Sequence, residues 1–232
     1  MTVSRQPIEL DWLGYATIRI RSRTGVTVYV DPGRYGVLDD VRPQDGDLVL
    51  VSHDDHYDPD GIERVAHEDA IVVVHDAVDA AEIDRVNRQP ESLPYEIERV
   101  RADESFVLGP LDLFTTPAHN QPDGPHTRDD GTPYHPEGTG CGFGLTLDGV
   151  TVFWPGDSDV LPVHRDLEVD VFCPPIGGGP TMDREEAATL AKKLRPELVV
   201  PVHYNTFDLL ATDEAAFVLD VASAGIPVAL DE

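Results

Sequence analysis

Metal-binding side chains occur in four short segments that lie far apart in this chain of 232 residues. The segments read SHDDHYD at 52–58, YHP at 134–136, WPGDSD at 154–159 and VHY at 202–204, and the first, third and fourth follow apolar, β-rich runs. Because loops on a rigid sheet edge often carry function, we expect these segments to meet at one rim. Imidazoles and carboxylates without thiolates are the ligands of a hydrolytic zinc, iron or manganese site. The sequence therefore predicts a metal-dependent hydrolase.

The charge of the chain indicates an unusually acidic surface. Seventeen Lys and Arg against 44 Asp and Glu give a net charge of −27, and Lys192 and Lys193 are the only lysines. The acids are scattered rather than collected in a tail, which is typical of a halophilic-type acidic surface in a high-salt cytoplasm. An ordinary acidic protein is the alternative. Because no basic patch is visible, binding to bulk nucleic acid is disfavoured.

The length and the hydrophobic pattern favour a cytoplasmic domain with its own core. The apolar fraction is 41%, and a chain of this size buries a substantial core. We expect no membrane span, since no run of about 18 apolar residues occurs. We also expect no signal peptide, because the start lacks a basic region followed by an apolar stretch. Two cysteines, Cys141 and Cys173, favour buried thiols in a reducing compartment.

Short β-rich runs alternate with turns in both halves, and helical segments lie between them. We predict strands at 8–13, 17–21, 26–31, 47–52, 71–74, 143–147, 150–154, 169–173 and 198–202. Helices are predicted to begin at Asp58-Pro59 and to cover 77–85, 183–194 and 213–222, the third with a capping box. This pattern predicts two packed sheets with helices outside. The irregular stretch 117–144 is rich in Pro, Gly, Asp and His, which favours a functional loop.

The candidate ligands of the four segments are sufficient for two metal ions, and they are His53, Asp55, His56, Asp58, His135, Asp157 and His203. Two ions bridged by Asp157 would hold a hydroxide and polarise a substrate oxygen. Each residue also has a simpler interpretation: Asp58 would cap the next helix, 156–159 would be a plain turn, and His119 and His126 would be loop residues. The conjunction of four ligand segments favours the metal site.

Longer motifs in the same order along the chain resemble the metallo-β-lactamase superfamily, and within it the small cytoplasmic hydrolases similar to ascorbate-6-phosphate lactonase. The matching motifs are WLGYATIRI, VYVDP, LVLVSHDDHYDPDGI, TPAHN, YHPEGTGCGF, VFWPGDSDV, CPPIGGGPTMDREEA and VVPVHYNTF. The resemblance implies an α+β four-layer αββα sandwich, formed by one domain over residues 1–232, with the site at one edge of both sheets. It also implies one or two Zn²⁺ ions, with Mn²⁺ or Fe²⁺ as alternatives.

The resemblance assigns roles to individual residues. Asp157 corresponds to the bridging carboxylate and His203 to the last histidine of the second metal site. The mid-chain histidine of the first site is either His135, which fits this branch, or His119, which fits the wider superfamily.

The first motif of the family, His-x-His-x-Asp-His, is altered in this chain. The register that we favour inserts one residue and takes His53 and His56 as the two histidines and Asp58 as the aspartate, which leaves Pro59 at the last position. One ion would then be held by His53, His56 and the mid-chain histidine, and the other by Asp58 and His203. A second register takes Asp55-His56 as the Asp-His pair and places His53 on the second histidine. Val51 then occupies the position of the first histidine. Either way one imidazole is absent.

These features predict hydrolysis of an ester, lactone or phosphodiester by a metal-bound hydroxide, with Asp58 and Asp157 as catalytic residues. The alternative is a catalytically impaired, one-metal binding or regulatory module on the same fold. The predicted substrate is a small molecule. Arg128, in the loop, is consistent with an anionic substrate, but we favour the interpretation that it is a solvated loop arginine. The Gly177–Gly179 stretch is either a turn, which we favour, or an anion cradle at a helix N-terminus.

Overall fold

A computed structural model describes residues 2–5 and 7–230 and contains two β-sheets. The first sheet has seven strands in chain order: β1 (Thr2–Arg5), β2 (Ile8–Gly14), β3 (Thr17–Ser22), β4 (Thr27–Val30), β5 (Gly46–Val51), β6 (Ala66–His75) and β7 (Glu96–Val100). The second sheet contains β8 (Ser105–Leu108), β9 (Leu111–Pro117), β10 (Cys141–Leu147), β11 (Val150–Trp154), β12 (Val171–Phe172) and β13 (Leu198–Val199).

Three α-helices accompany the sheets: α1 (Pro59–Val65), α2 (Arg184–Leu194) and α3 (Glu214–Ala222). The capping box predicted for α2 is present, since Asp183 accepts from the backbone of Glu186 while the Glu186 side chain accepts from the backbone of Asp183. The helix ends at Leu194, and the C-cap residue that follows, Arg195, has a left-handed backbone (φ 54°).

Three apolar clusters separate four layers. The largest cluster lies between the sheets and includes Ile18, Leu50, Phe143 and Trp154. A second cluster packs α1 on the outer face of the first sheet, and a third packs α2 and α3 on the outer face of the second sheet. Each sheet therefore buries both of its faces, which explains the near-continuous apolar runs of β5 and β6. The predicted α+β four-layer αββα sandwich is confirmed.

Parallel pairing brings the ends of the central strands to one edge of the sandwich. In the first sheet β4, β5, β6 and β7 run parallel, and in the second sheet β11, β12 and β13 do so. Asp31 follows β4, His53 follows β5 and Asp157 follows β11. The two sheets also meet here, because His53 forms an isolated β-bridge with Gly140, and the His203 N–H donates to the Tyr15 carbonyl at 2.8 Å.

The helix predicted at 77–85 is not present, and this prediction was wrong. The structure has only a 3₁₀ turn at Ala80–Glu82. The Asp79 side chain accepts from the Ala81 N–H and from Gln89 Nε2, so it stabilises a local turn instead of a helix interior. None of the helices in the described ranges is long and apolar enough to cross a membrane.

Candidate metal centre

A single carboxylate oxygen, Oδ2 of Asp157, has four imidazole nitrogens around it. The Nε2 atom of His203 lies 3.3 Å from it. The Nε2 atoms of His53, His56 and His135 each lie 3.7 Å from the same oxygen. All five side chains are buried. The four imidazoles therefore converge from three separate segments of the chain on one carboxylate of the fourth.

These residues form two groups of potential metal ligands that share Asp157. One group is His53, His135 and Asp157, and the other is His56, Asp157 and His203. Within each group the ligand atoms lie within 4.8 Å of one another. The Nε2 atoms of His53, His56 and His203 and the Oδ1 atom of Asp157 are buried with no hydrogen-bond partner among the described residues. Because unpaired buried polar atoms are costly, this donor set fits two cations bridged by Asp157.

The turn after β11 places Asp157 at the centre of the cluster. Gly156 has a φ of +71°, and a Cβ atom there would lie 2.7 Å from the Cys141 carbonyl oxygen. Only glycine combines this conformation with this close approach. The prediction that Gly156 lets the chain approach closely is confirmed.

Asp31 is a buried carboxylate that orients the imidazole of His56. Its Oδ1 atom accepts from the Ser52 N–H at 2.7 Å. Its Oδ2 atom accepts from Ser52 Oγ at 2.7 Å and Trp154 Nε1 at 2.9 Å, and lies 3.0 Å from His56 Nδ1. Because a carboxylate only accepts, His56 carries its proton on Nδ1 and presents a free Nε2 lone pair to the cluster.

Ser52 orients His53 in the same way. Its hydroxyl proton goes to Asp31, so Ser52 Oγ accepts from Nδ1–H of His53, which lies 2.9 Å away. The Nε2 atom of His53 is then free to bind a metal. Asp31 was not predicted as a site residue. The signal for it was an aspartate directly after a strand, Asp31-Pro32-Gly33, in the pattern that had identified Asp157.

The electrostatics of the cluster favour a bound cation. Burial lowers the pKa of His53 to about 3, which keeps this imidazole neutral and able to act as a ligand. Burial also acts to lower the pKa of His56, but the carboxylates of Asp157 and Asp31 raise it to about 9. The surrounding imidazoles, His203 first, hold the pKa of Asp157 well below its usual range despite its burial. The carboxylates therefore attract positive charge, which divalent ions supply when bound.

The loop after β9 supplies His135 to the cluster. The His135 N–H donates to Asn120 Oδ1 at 2.8 Å, and the His135 Nδ1 atom lies 3.1 Å from the Pro180 carbonyl oxygen. Asn120 Nδ2 donates to Asp159 Oδ1 and to the same Pro180 carbonyl, both at 2.9 Å. Pro180, which follows the Gly177–Gly179 stretch, thus presents its carbonyl to the His135 imidazole. The contact fits the interpretation of this stretch as a turn.

His203 is held by backbone geometry and by ring packing. Its φ is +56°, a left-handed conformation that is costly for a residue other than glycine. The Tyr15 ring packs against its imidazole with the ring centroids 4.5 Å apart, and meets the His56 ring edge-on at 5.1 Å. Tyr15 therefore covers the cluster on the side of the second ligand group.

The fold and the ligand geometry agree with what known proteins show. Residues 9–203 match the family described as the β-lactamase superfamily domain. The chain belongs to this superfamily. A UPF0173 metal-dependent hydrolase of Methanoregula boonei is 31% identical over 217 residues, which cover 90% of this chain and 88% of the relative. A second protein of the same name, from Thermococcus kodakarensis, is 31% identical over 222 residues and 90% of each chain.

Two solved structures share the fold. Igni18, a metallo hydrolase of Ignicoccus hospitalis, superposes with a TM-score of 0.69 at 24% identity, over 97% of this chain and 95% of its own. The metallo-β-lactamase fold protein YhfI of Bacillus subtilis gives a TM-score of 0.69 at 15% identity, over 98% and 97%. The predicted membership of the metallo-β-lactamase superfamily is confirmed.

The arrangement around the altered first motif favours the second register over the one that we preferred from the sequence. His56 groups with Asp157 and His203 rather than with His53. Asp55 Oδ2 lies 3.7 Å from His135 Nε2, so its carboxylate reaches the cluster. The 3₁₀ turn at Asp54–His56 produces this arrangement, because it returns His56 to the rim directly after His53.

Asp58, predicted as a ligand and catalytic residue, is not brought to the cluster. Its Oδ1 accepts from the N–H groups of Asp60 and Gly61, and its Oδ2 accepts from the Arg34 N–H. The simpler interpretation, a cap for α1, describes its contacts. The reason lies in Tyr57, whose fully buried ring joins the outer apolar cluster and leads the chain away from the rim.

Three other loop residues of the sequence analysis lie outside the two ligand groups. The His119 N–H donates to Ser158 Oγ and the His119 carbonyl accepts from the Asp159 N–H, so its backbone supports the Asp157 turn. Arg128 donates to the carbonyls of Pro133 and Tyr134 within its own loop. His126 contacts the Gly179 carbonyl and α2.

Alanine substitutions at Asp55 and Asp58 separate the two registers. Asp55→Ala should lower hydrolytic activity and the affinity of one metal by about 10- to 100-fold, because it removes a carboxylate beside His135. Asp58→Ala should keep the metal content and lower the free energy of unfolding by about 1 kcal/mol, the usual cost of a lost helix cap. Elemental analysis and denaturant unfolding of both variants measure these effects. Loss of metal in Asp58→Ala alone would restore the first register.

A pH-dependent contact fastens the loop to α2. His126 Nε2 lies 2.8 Å from Glu186 Oε2 and His126 Nδ1 lies 2.9 Å from the Gly179 carbonyl oxygen, so both ring nitrogens face acceptors and the imidazolium form is favoured. Burial acts to lower the pKa of His126, but Glu186, with a smaller contribution from Asp159, raises it. A raised pKa contributes stability below about pH 6.5, the ordinary histidine value, and the contribution is lost as pH rises through the raised value.

We therefore expect the free energy of unfolding of the wild type to exceed that of His126→Gln at pH 6 and the difference to shrink towards pH 9. The measurement is urea unfolding of the two metal-loaded proteins across this range. His67→Gln, at an exposed histidine, is the control for the loss of a histidine outside this contact. A difference that grows with pH would contradict the assignment.

Proposed function

We propose that this protein is a metal-dependent hydrolase that cleaves an ester, lactone or phosphodiester bond in a small molecule. One observation carries the proposal: four imidazole Nε2 atoms surround Asp157 Oδ2 at 3.3–3.7 Å, and three of them are buried without a hydrogen-bond partner. The curated relatives from Methanoregula boonei and Thermococcus kodakarensis, named metal-dependent hydrolases, support the same activity.

The residues present fit one ion held by His53, His135 and Asp157 and a second held by His56, Asp157 and His203, with Asp55 beside His135. Divalent ions bound there, with Zn²⁺ as the leading candidate and Mn²⁺ or Fe²⁺ as alternatives, would lower the pKa of water and polarise the substrate oxygen. Asp31 and Ser52 keep the imidazoles of His56 and His53 in the tautomer that binds metal.

Asp55 is the carboxylate of the site with most access to solvent. Its side chain is 62% exposed, whereas that of Asp157 is 3% exposed. A hydrogen bond from His135 lowers the pKa of Asp55, so its carboxylate is ionised at neutral pH. It can therefore bind a cation or orient a water molecule at the open side of the centre.

The test is metal content by elemental analysis, on protein purified without chelator in molar salt, together with hydrolysis of a generic ester and a generic phosphodiester. About two ions per chain with turnover would support the proposal. One ion without turnover would favour the binding or regulatory module. No retained metal, with no turnover after Zn²⁺, Mn²⁺ or Fe²⁺ is added back, would overturn the hydrolase proposal.

A further inference from the structure

A pocket of about 250 Å³ beside α1 concentrates positive charge in a strongly negative protein. Three arginines, Arg34, Arg85 and Arg88, line it together with Asp58 at the start of α1. The chain as a whole has a net charge of −27. A wall of three arginines is therefore contrary to the charge pattern of the rest of the surface.

The acidic groups of this pocket do not neutralise Arg34 and Arg85. Arg88 pairs with Asp60 at 2.6 Å and with Glu63 at 2.7 Å, so its charge is balanced. Within residues 7–230, the guanidinium group of neither Arg34 nor Arg85 has a carboxylate oxygen within 4.0 Å. The Arg34 Nε atom is buried with no hydrogen-bond partner there.

Arg85 and Arg34 each connect the pocket to the metal centre. Arg85 Nη2 donates to the carbonyls of Asp54 and Asp55, at 2.7 and 2.9 Å, on the turn that brings Asp55 to His135. The Arg34 guanidinium lies 4.6 Å from the centroid of the Tyr35 ring. That ring meets Tyr15, which covers His203. A molecule that reaches the metal ions along this wall would have an anionic group beside the arginines.

We propose that Arg34 and Arg85 form an anion subsite beside the metal centre, and that the substrates are small molecules carrying a carboxylate or phosphate group. This inference rests on the proposed hydrolase function and names its substrate class. Guanidinium groups bind such oxyanions through paired, charge-assisted hydrogen bonds. Arg34 makes the main contact, because Arg85 also holds the metal-binding turn.

The first test is calorimetric titration of the metal-loaded protein with inorganic phosphate. Arg34→Gln should bind phosphate about tenfold or more weakly than the wild type at equal metal content, the effect of losing a charge-assisted hydrogen bond. Arg34→Lys keeps the charge and should retain part of the affinity. Arg88→Gln removes the same charge from a paired arginine and should match the wild type. Equal affinities in wild type and Arg34→Gln would overturn the subsite.

The second test compares two esters with one leaving group, 4-nitrophenyl acetate and 4-nitrophenyl hydrogen glutarate. The wild type should have the higher kcat/KM for the anionic ester, Arg34→Gln should lose this preference, and the control Arg88→Gln should keep it. A preference unchanged by Arg34→Gln would overturn the inference. If the wild type hydrolyses neither ester, the proposed function loses support, and the phosphate titration still decides whether the anion subsite exists.

Discussion

Replacing Asp157 by Asn is expected to abolish binding of both metal ions and to lower hydrolytic activity by more than about 100-fold, beyond the range for loss of a supporting residue. Both ligand groups include Asp157, and its Oδ2 lies within 3.7 Å of four imidazole nitrogens. Asn has nearly the same shape, but it lacks the charge and one acceptor. The substitution therefore removes the bridge and leaves the packing intact.

Thermal unfolding with and without metal provides a second readout. A ligand at a thousandfold excess over its Kd stabilises a protein by about 4 kcal/mol, so metal should raise the Tm of the wild type by several degrees. The Tm of Asp157→Asn should not respond to metal. Asp159→Asn, in the same turn, is the control: Asp159 accepts from Asn120 and Gln121 rather than facing the imidazoles, so this variant should still respond. A metal response retained in Asp157→Asn would mean that the ions bind elsewhere.

The sequence predicted the layers and the rim because both follow from local patterns. Apolar runs such as 47–52 indicate strands buried on both faces, and the Asp183–Glu186 spacing indicates a capped helix. The ends of parallel strands lie at one edge, so ligands that follow them in sequence are brought together in space. His53, Asp157 and His203 follow this rule, and the structure places all three in one cluster.

The sequence could not decide whether Asp55 or Asp58 is the aspartate of the first motif that lies at the metal centre. Both acids lie within two residues of His56, and both registers keep a family-like His-Asp spacing. What separates them is the burial of Tyr57 in the outer layer, a tertiary contact with no sequence signal at this position. Asp31 carries the same strand-end signal as Asp157, but its contacts with His56 and with Trp154 of the other sheet are tertiary contacts that the sequence does not show.

Replacing Asp31 by Asn is expected to weaken the second metal site about 10- to 100-fold, the usual effect of losing a carboxylate behind a ligand histidine. Asp31 Oδ2 accepts from Ser52 and Trp154 and faces His56 Nδ1, whereas an amide nitrogen there would face three donors. His56 would then lose the negative charge behind its Nδ1–H, which makes the tautomer with the proton on Nε2, unable to bind metal through Nε2, more populated. The same loss should lower the free energy of unfolding by about 1–3 kcal/mol.

Metal titration against a competing chelator, combined with urea unfolding, separates positioning from stability. Trp154→Phe removes one donor to Asp31 and leaves the His56 contact, so it should lose stability and keep the metal affinity. Asp31→Asn should lose both. If Asp31→Asn bound metal as tightly as the wild type while its stability fell, Asp31 would only join the two sheets. The orientation of His56 would then have to come from Ser52, whose Oγ lies 3.2 Å from the same nitrogen.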